Sequence, residues 1–192
     1  MTSTETLQTT IVKNALVSAV ENTFKTGTRF ASLTYTNEVG ATTRYNIMLG
    51  IRLESLYKSD LRALTALRPS LSGIKLIACD EIMASINNSL TKGIGNNDKY
   101  TLKGYYTGAT DNKEVGFHKD EKTGETCLYI RGYVIKKTVL IEGVYKKVNS
   151  SEKTLAKKDL EKNLRRGNIR TFKINVNQLH QIKMNGVTVE IN

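Results

Sequence analysis

Cysteine is scarce: Cys79 and Cys127 are the only two, and neither belongs to a CxxC pair. Far apart and without such partners, they argue against a disulfide framework and against a structural zinc site, and read as small buried hydrophobes. Long apolar runs are missing as well. Nothing approaches the roughly 18 consecutive apolar residues of a membrane helix, and residues 1–8 are polar with no basic region ahead of an apolar stretch. These absences predict a cytoplasmic protein with no secretory or membrane segment.

Catalytic patterns are also thin. His118 lies in Phe117-His118-Lys119-Asp120-Glu121, read as a charged loop, and His180 alternates with Ile182 on a late strand. Neither has a metal ligand at suitable spacing. Asp80 and Glu81 beside Cys79 give a faint metal-nuclease hint, with no second acidic motif to support it. Gly93-Ile94-Gly95 lacks the rest of a phosphate loop, and no serine has a nucleophile-elbow context. The expectation is a non-enzymatic protein with no metal and no cofactor.

What the sequence does have is positive charge. Its 192 residues carry a formal net charge of +11 with a pI near 9.6, a field that attracts phosphate-rich partners. The charge is uneven, because between Arg131 and Lys173 thirteen Lys or Arg face four acids. With 39% hydrophobic residues the chain can still bury a real core.

Apolar spacing predicts an amphipathic helix over 9–24 ended by Gly27, then a hairpin of 31–35 and 44–49 around Asn37-Glu38-Val39-Gly40. A helix starting near Leu53 or Ser59 should stop before Pro69, and a second should span Lys75–Leu90 with Leu76, Ile77, Met83, Ile86 and Leu90 on one side. Residues 91–99 read as a loop. Period-two segments follow at 100–107, 126–135, 138–148, 169–176, 179–184 and 187–191, with Asn185-Gly186 as a type I′ turn. A helix over 151–166, with Gly167 as its C′ residue, interrupts them. This order predicts an α+β fold, a small antiparallel curled sheet or partial SH3/Sm-like barrel with peripheral helices. The expected organisation is an N-terminal helix in residues 1–25 and one α+β domain over 26–192, with helical insertions near 53–90 and 151–166.

Two constellations point to a polyanion. In Leu128-Tyr129-Ile130-Arg131-Gly132-Tyr133-Val134, alternation turns Leu128, Ile130 and Val134 to the core and leaves Tyr129, Arg131 and Tyr133 on the opposite face. Two rings beside a guanidinium suit base stacking, worth about 1–3 kcal/mol per base; equally, such tyrosines cover a second core layer beneath a helix. In 152–166, Ala156, Leu160 and Leu164 form an apolar stripe that leaves Lys153, Lys157, Lys158, Lys162, Arg165 and Arg166 toward solvent. Arg170 and Lys173 on the next strand, and the pairs Lys136-Lys137 and Lys146-Lys147, extend the positive face. The expected partner is DNA or RNA, with phosphates held by the cations and bases oriented by Tyr129, Arg131 and Tyr133. The alternative is a structural or protein-interaction component whose basic face meets an acidic protein, with homo-oligomerisation an open option for either.

Three separated pieces carry a resemblance. Leu33-Thr34-Tyr35 with Gly40, Thr43-Arg44 and Ile47 is similar to the opening hairpin of WYL domains, and Leu128-Tyr129-Ile130-Arg131-Gly132-Tyr133 resembles the strand that names that family. Arg170-Thr171-Phe172-Lys173-Ile174 followed by 179–182 resembles its closing strand. The resemblance implies an SH3-like or Sm-like barrel that senses nucleic acid or a nucleotide ligand, often in transcriptional regulation or in bacterial and phage defence. It carries ligand contact over to Arg44, Tyr129, Arg131 and Arg170. Leu128 stands where the family has tryptophan, Leu49 near its usual proline and Val176 in place of a second arginine, and the basic helix is an insertion. In size, basicity and lack of enzyme motifs the chain also resembles accessory proteins of tailed bacteriophages, which implies the host cytoplasm.

Overall fold

A computed structural model describes residues 14–22, 30–49, 53–91, 106–107, 112–113, 116–146 and 149–191. The expected helix end at Gly27, most of the expected 91–99 loop and 100–107 strand, and Lys147 lie outside these residues.

The chain forms an α+β fold whose sheet curls into a partial barrel. Its helices are α1 (14–22), α2 (Leu53–Leu67), α3 (Gly73–Thr91) and α4 (Glu152–Glu161). Its strands are β1 (Phe30–Thr36), β2 (Thr42–Met48), β3 (Tyr106–Thr107), β4 (Asn112–Lys113), β5 (Gly116–Lys119), β6 (Thr126–Ile141), β7 (Ile169–Asn175), β8 (Leu179–Met184) and β9 (Val187–Glu190). The sheet runs β5-β6-β2-β1-β8-β9 with β7 on β6, every pairing antiparallel. β3 and β4 form a separate pair. Tyr133 pairs with Met48 of β2 and with Ile169 of β7, so β2 and β7 occupy opposite edges of β6. Beyond Tyr133, β6 keeps β2 on one edge and has no strand on the other among the described residues.

Local chemistry explains the turns. Asn37 Oδ1 accepts the backbone N–H of Val39 (3.1 Å) and Ala41 (2.9 Å), closing the β1–β2 loop. Asn185 (φ 49°) and Gly186 (φ 78°) make the β8–β9 turn with two positive φ angles, as a type I′ turn requires. Gly143, just past β6, lies against that first loop, where Val144 N–H donates to Val39 O at 3.1 Å. A Cβ at position 143 would collide with the Val39 carbonyl and the Ala41 amide, both backbone and unable to swing away. Gly143→Ala is expected to cost about 2–3 kcal/mol, from overpacking and the lost hydrogen bond. A urea midpoint unchanged from the parent's would contradict this.

Two cores result. Inside the barrel, Leu33, Tyr45, Ile47, Leu128, Ile130, Phe172, Ile174, Leu179 and Ile182 pack together, and Val20 of α1 joins them. Outside it, Leu64 of α2, Ala78, Cys79, Ile82 and Ile86 of α3, and Ala156, Leu160 and Leu164 from the α4 region form a helical cluster. The buried stripe of α3 therefore centres on small Ala78 and Cys79, which let neighbouring helices approach, and Ile77, expected inside, is 54% exposed. Both cysteines are buried, and burial pushes both thiols above their ordinary range.

Three further expectations are corrected. Segments 126–135 and 138–148 are one continuous strand to Ile141, because the register shift opposite Asn46 and Ile47 absorbs Ile135 as a bulge where the lysine pair had read as a break. The helix expected to Arg166 ends at Glu161. Ser151 caps it as an acceptor from Thr154 N–H, but Asp60 of α2 then accepts the backbone N–H groups of Arg165 (2.8 Å) and Arg166 (2.7 Å), drawing the chain into a 3-10 turn, Arg165–Asn168. Phe117-His118-Lys119, read as loop, belongs to strand β5 with Phe117 buried.

Candidate nucleic-acid interface

Three of the six cations expected on the 152–166 helix are matched by acids. Lys153 bonds Glu81 (2.5 Å), Lys162 bonds Asp159 (3.3 Å) and Arg166 bonds Glu161 (3.2 Å). Lys158 donates to Ser150 Oγ (3.4 Å), and Lys157 and Arg165 carry no ion pair among the described residues. Exposed pairs of this kind contribute little stability, yet each cancels field that a phosphate backbone would otherwise meet. Asp80 and Glu81, the nuclease hint, are occupied in the same way: Arg68 grips Asp80 with two hydrogen bonds, 2.7 and 3.1 Å, and holds its carboxyl below the usual range. Among the described residues no group of three His, Cys, Asp or Glu could hold a metal.

The strands behave differently. Tyr35, Tyr45 and Phe172 converge on the inner face of the barrel, Tyr35 stacked on Tyr45 at 5.8 Å between centroids and Phe172 edge-on to both. Burial, then the adjacent Tyr45, pushes the Tyr35 phenol up to about 12, so it stays neutral at physiological pH. Over Tyr45, itself 5% exposed, lie Lys137 Nζ at 5.7 Å and the Arg170 guanidinium carbon at 5.8 Å from the ring centroid. Register explains the meeting: Lys137 pairs directly with Tyr45 across β6–β2, and Arg170 precedes Phe172 by two on β7 and so shares its face. Neither cation has a carboxylate partner among the described residues. Each cation–π contact contributes about 0.5–1 kcal/mol and fixes a side chain that would otherwise lose freedom on binding.

The Tyr129-Arg131-Tyr133 face forms as alternation predicts but offers less than expected. Tyr129 is 2% exposed, with the His118 ring edge-on at 5.8 Å and Lys173 Nζ 5.9 Å from its centroid. A base cannot reach it, which removes Tyr129 from any stacking role. Tyr133 is half-buried, its hydroxyl accepting from Asn168 Nδ2 at 3.3 Å. Arg131 is half-buried between them. Arg44 lies exposed on the other side of β2 from Tyr45, its Nε donating to Thr34 Oγ1 at 3.3 Å. Lys136 and Lys146 are exposed.

Lys173 is bound to the buried Asp120 carboxylate. That hydrogen bond, helped by the Lys122 amide, holds Asp120 below the usual carboxyl range, and the same bond lifts Lys173 above its ordinary value. The lowered Asp120 value stabilises the fold above the ordinary carboxyl range and is lost as pH falls below it; the raised Lys173 value stabilises below the ordinary lysine range and is lost as pH climbs past it. Asp120→Asn should therefore flatten the loss of stability seen below about pH 4. Acid unfolding curves of the two proteins that superimpose over that limb would exclude the linkage.

Sequence reasoning did not single out Tyr35, Tyr45 and Phe172; the last two are core residues, and the β6–β2 register that brings Lys137 over Tyr45 is not written in local periodicity. No helix among the described residues is long and apolar enough to cross a membrane. Comparison with protein-family models, curated proteins and solved structures returns no match, so function rests on the site itself.

Proposed function

We propose that the protein binds nucleic acid through its phosphates, with the grip centred on the inner face of β6–β7 and not on α4. The observation that carries this reading is the pair Lys137 and Arg170, brought from two strands onto one ring with no carboxylate partner among the described residues. Lys136, paired with Asn46, lies on the other face of β6, and the chain has a net charge of +11. Like charges brought together cost free energy unless an anion meets them. The partial barrel accords with the fold that the WYL resemblance implies, and Arg170 is common to both arguments.

The test is a mobility-shift titration with single- and double-stranded DNA and RNA across salt. Retention at low salt, falling linearly as log K against log salt, is expected. Absence of retention of all four at 50 mM salt overturns the reading.

One observation favours a second reading, a protein-interaction component: Val144 is 83% exposed, and Tyr145 and Ile141 are exposed beside it. A stable oligomer by size exclusion, together with no nucleic-acid retention, would select it.

A further inference from the structure

Arg131 pairs with Thr171, the neighbour of Arg170, and the bulge at Ile135 reverses the alternation before Lys137, so Arg131 lies on the face of β6 opposite Lys137 and Arg170. Its Nε is buried and has no hydrogen-bond partner among the described residues. A guanidinium cannot escape this by losing its proton, and although the residue is only half-buried, leaving this buried donor without an acceptor costs about 1–3 kcal/mol. Buried donors are otherwise satisfied almost without exception, so an orphan calls for an acceptor from outside the chain.

The nearby groups suit an anion. Thr171, exposed, is the direct cross-strand partner of Arg131. The Tyr133 hydroxyl accepts from Asn168, which leaves its own proton free to donate outward. Asn168 sits on the 3-10 turn that Asp60 anchors, so one wall of the site is fixed. Lys173, two positions along β7, adds positive field while its ammonium stays with Asp120. Nε–H together with an Nη–H forms a fork that matches two oxygens of a tetrahedral phosphate.

We infer that Arg131 anchors a phosphate site on this outer face, distinct from the polyanion surface and independent of it. The ligand is a phosphate group, either a free phosphate or monoester or a diester of a nucleic-acid backbone.

Thermal melts of the full chain, at matched ionic strength with chloride as the control, test this with inorganic phosphate, AMP and a 20-nucleotide single-stranded DNA as probes. Phosphate and AMP should each raise the parent's Tm saturably. Arg131→Met should melt about 3 °C or more above the parent without ligand, since an unsatisfied buried donor is replaced by an apolar side chain of similar length, and should lose the shift with both. Thr171→Val should keep its fold and need about threefold more phosphate for half the shift. The double variant Lys137→Gln/Arg170→Gln should keep the phosphate shift while binding DNA more weakly, which separates this site from the surface proposed above. A Tm increase from the oligonucleotide that Arg131→Met abolishes, with none from phosphate or AMP, would assign the site to backbone diesters. Three results overturn the proposal: Arg131→Met melting below the parent, Arg131→Met keeping the phosphate shift, or a parent that responds to none of the three probes.

Discussion

Replacing Asp60 by alanine should lower stability by about 3 kcal/mol and the melting temperature by roughly 6–12 °C. Asp60 is 2% exposed on α2 and accepts two short backbone hydrogen bonds, from Arg165 and Arg166. Those bonds draw the segment after α4 across to α2, and the same segment carries Leu164 into the helical core and leads into β7. Charge-assisted bonds of this kind contribute about 1.5–3 kcal/mol each. Part of the loss is recovered because the exposed Arg165 segment can rehydrate. Asp60→Asn, which keeps one acceptor oxygen, should lose about half as much. Urea unfolding monitored by circular dichroism measures both, and an alanine variant with the parent's midpoint would show that the α2 contact does not hold this turn.

Removing both cations from Tyr45 should weaken nucleic-acid binding by about 25- to 60-fold at 0.1 M salt and lower the log–log salt slope by about 1.4–1.8, the increment for two lost phosphate contacts. The variant is Lys137→Gln/Arg170→Gln. Its counterpart, Lys153→Gln/Lys162→Gln on α4, removes the same formal charge from positions already faced by Glu81 and Asp159. Binding there should change by less than about threefold. Equal losses from the two pairs would mean that summed charge alone governs binding, and the strand surface would have no special part.

Much of the fold was legible because its signals are local. Asn185-Gly186 admits few turns, and Ala156, Leu160 and Leu164 are all buried as their spacing requires. The errors occurred where tertiary contacts overrode local preference. Nothing between Leu160 and Gly167 marks the end of α4, since the cause is a carboxylate about a hundred residues earlier. Even so, Asp60 stands between Leu56 and Leu64 at i, i+4 spacing on the apolar stripe of α2, and a charge in such a position signals a buried acceptor. The candidate site was half legible. Arg131 and Arg170 stood out by type and strand position, but the meeting of Lys137 with Arg170 depends on which strands flank β6. Charge counting along the sequence also could not foresee that Lys153 meets Glu81 of α3, or that Tyr129 lies beneath His118 and Lys173.

Beyond Tyr133, the margin of β6 away from β2 has no partner strand among the described residues, with Ile135, Val139 and Ile141 exposed along it, a template that a second strand could copy. Lys136 and Lys137 occupy that same stretch, so two identical chains zippering there would crowd four ammonium groups into one ladder. Self-assembly along this margin and the proposed loading with a polyanion would thus compete for the same lysines. Dilution and low ionic strength keep the surface available, whereas concentrated protein in high salt, where repulsion is screened, favours the chains finding each other.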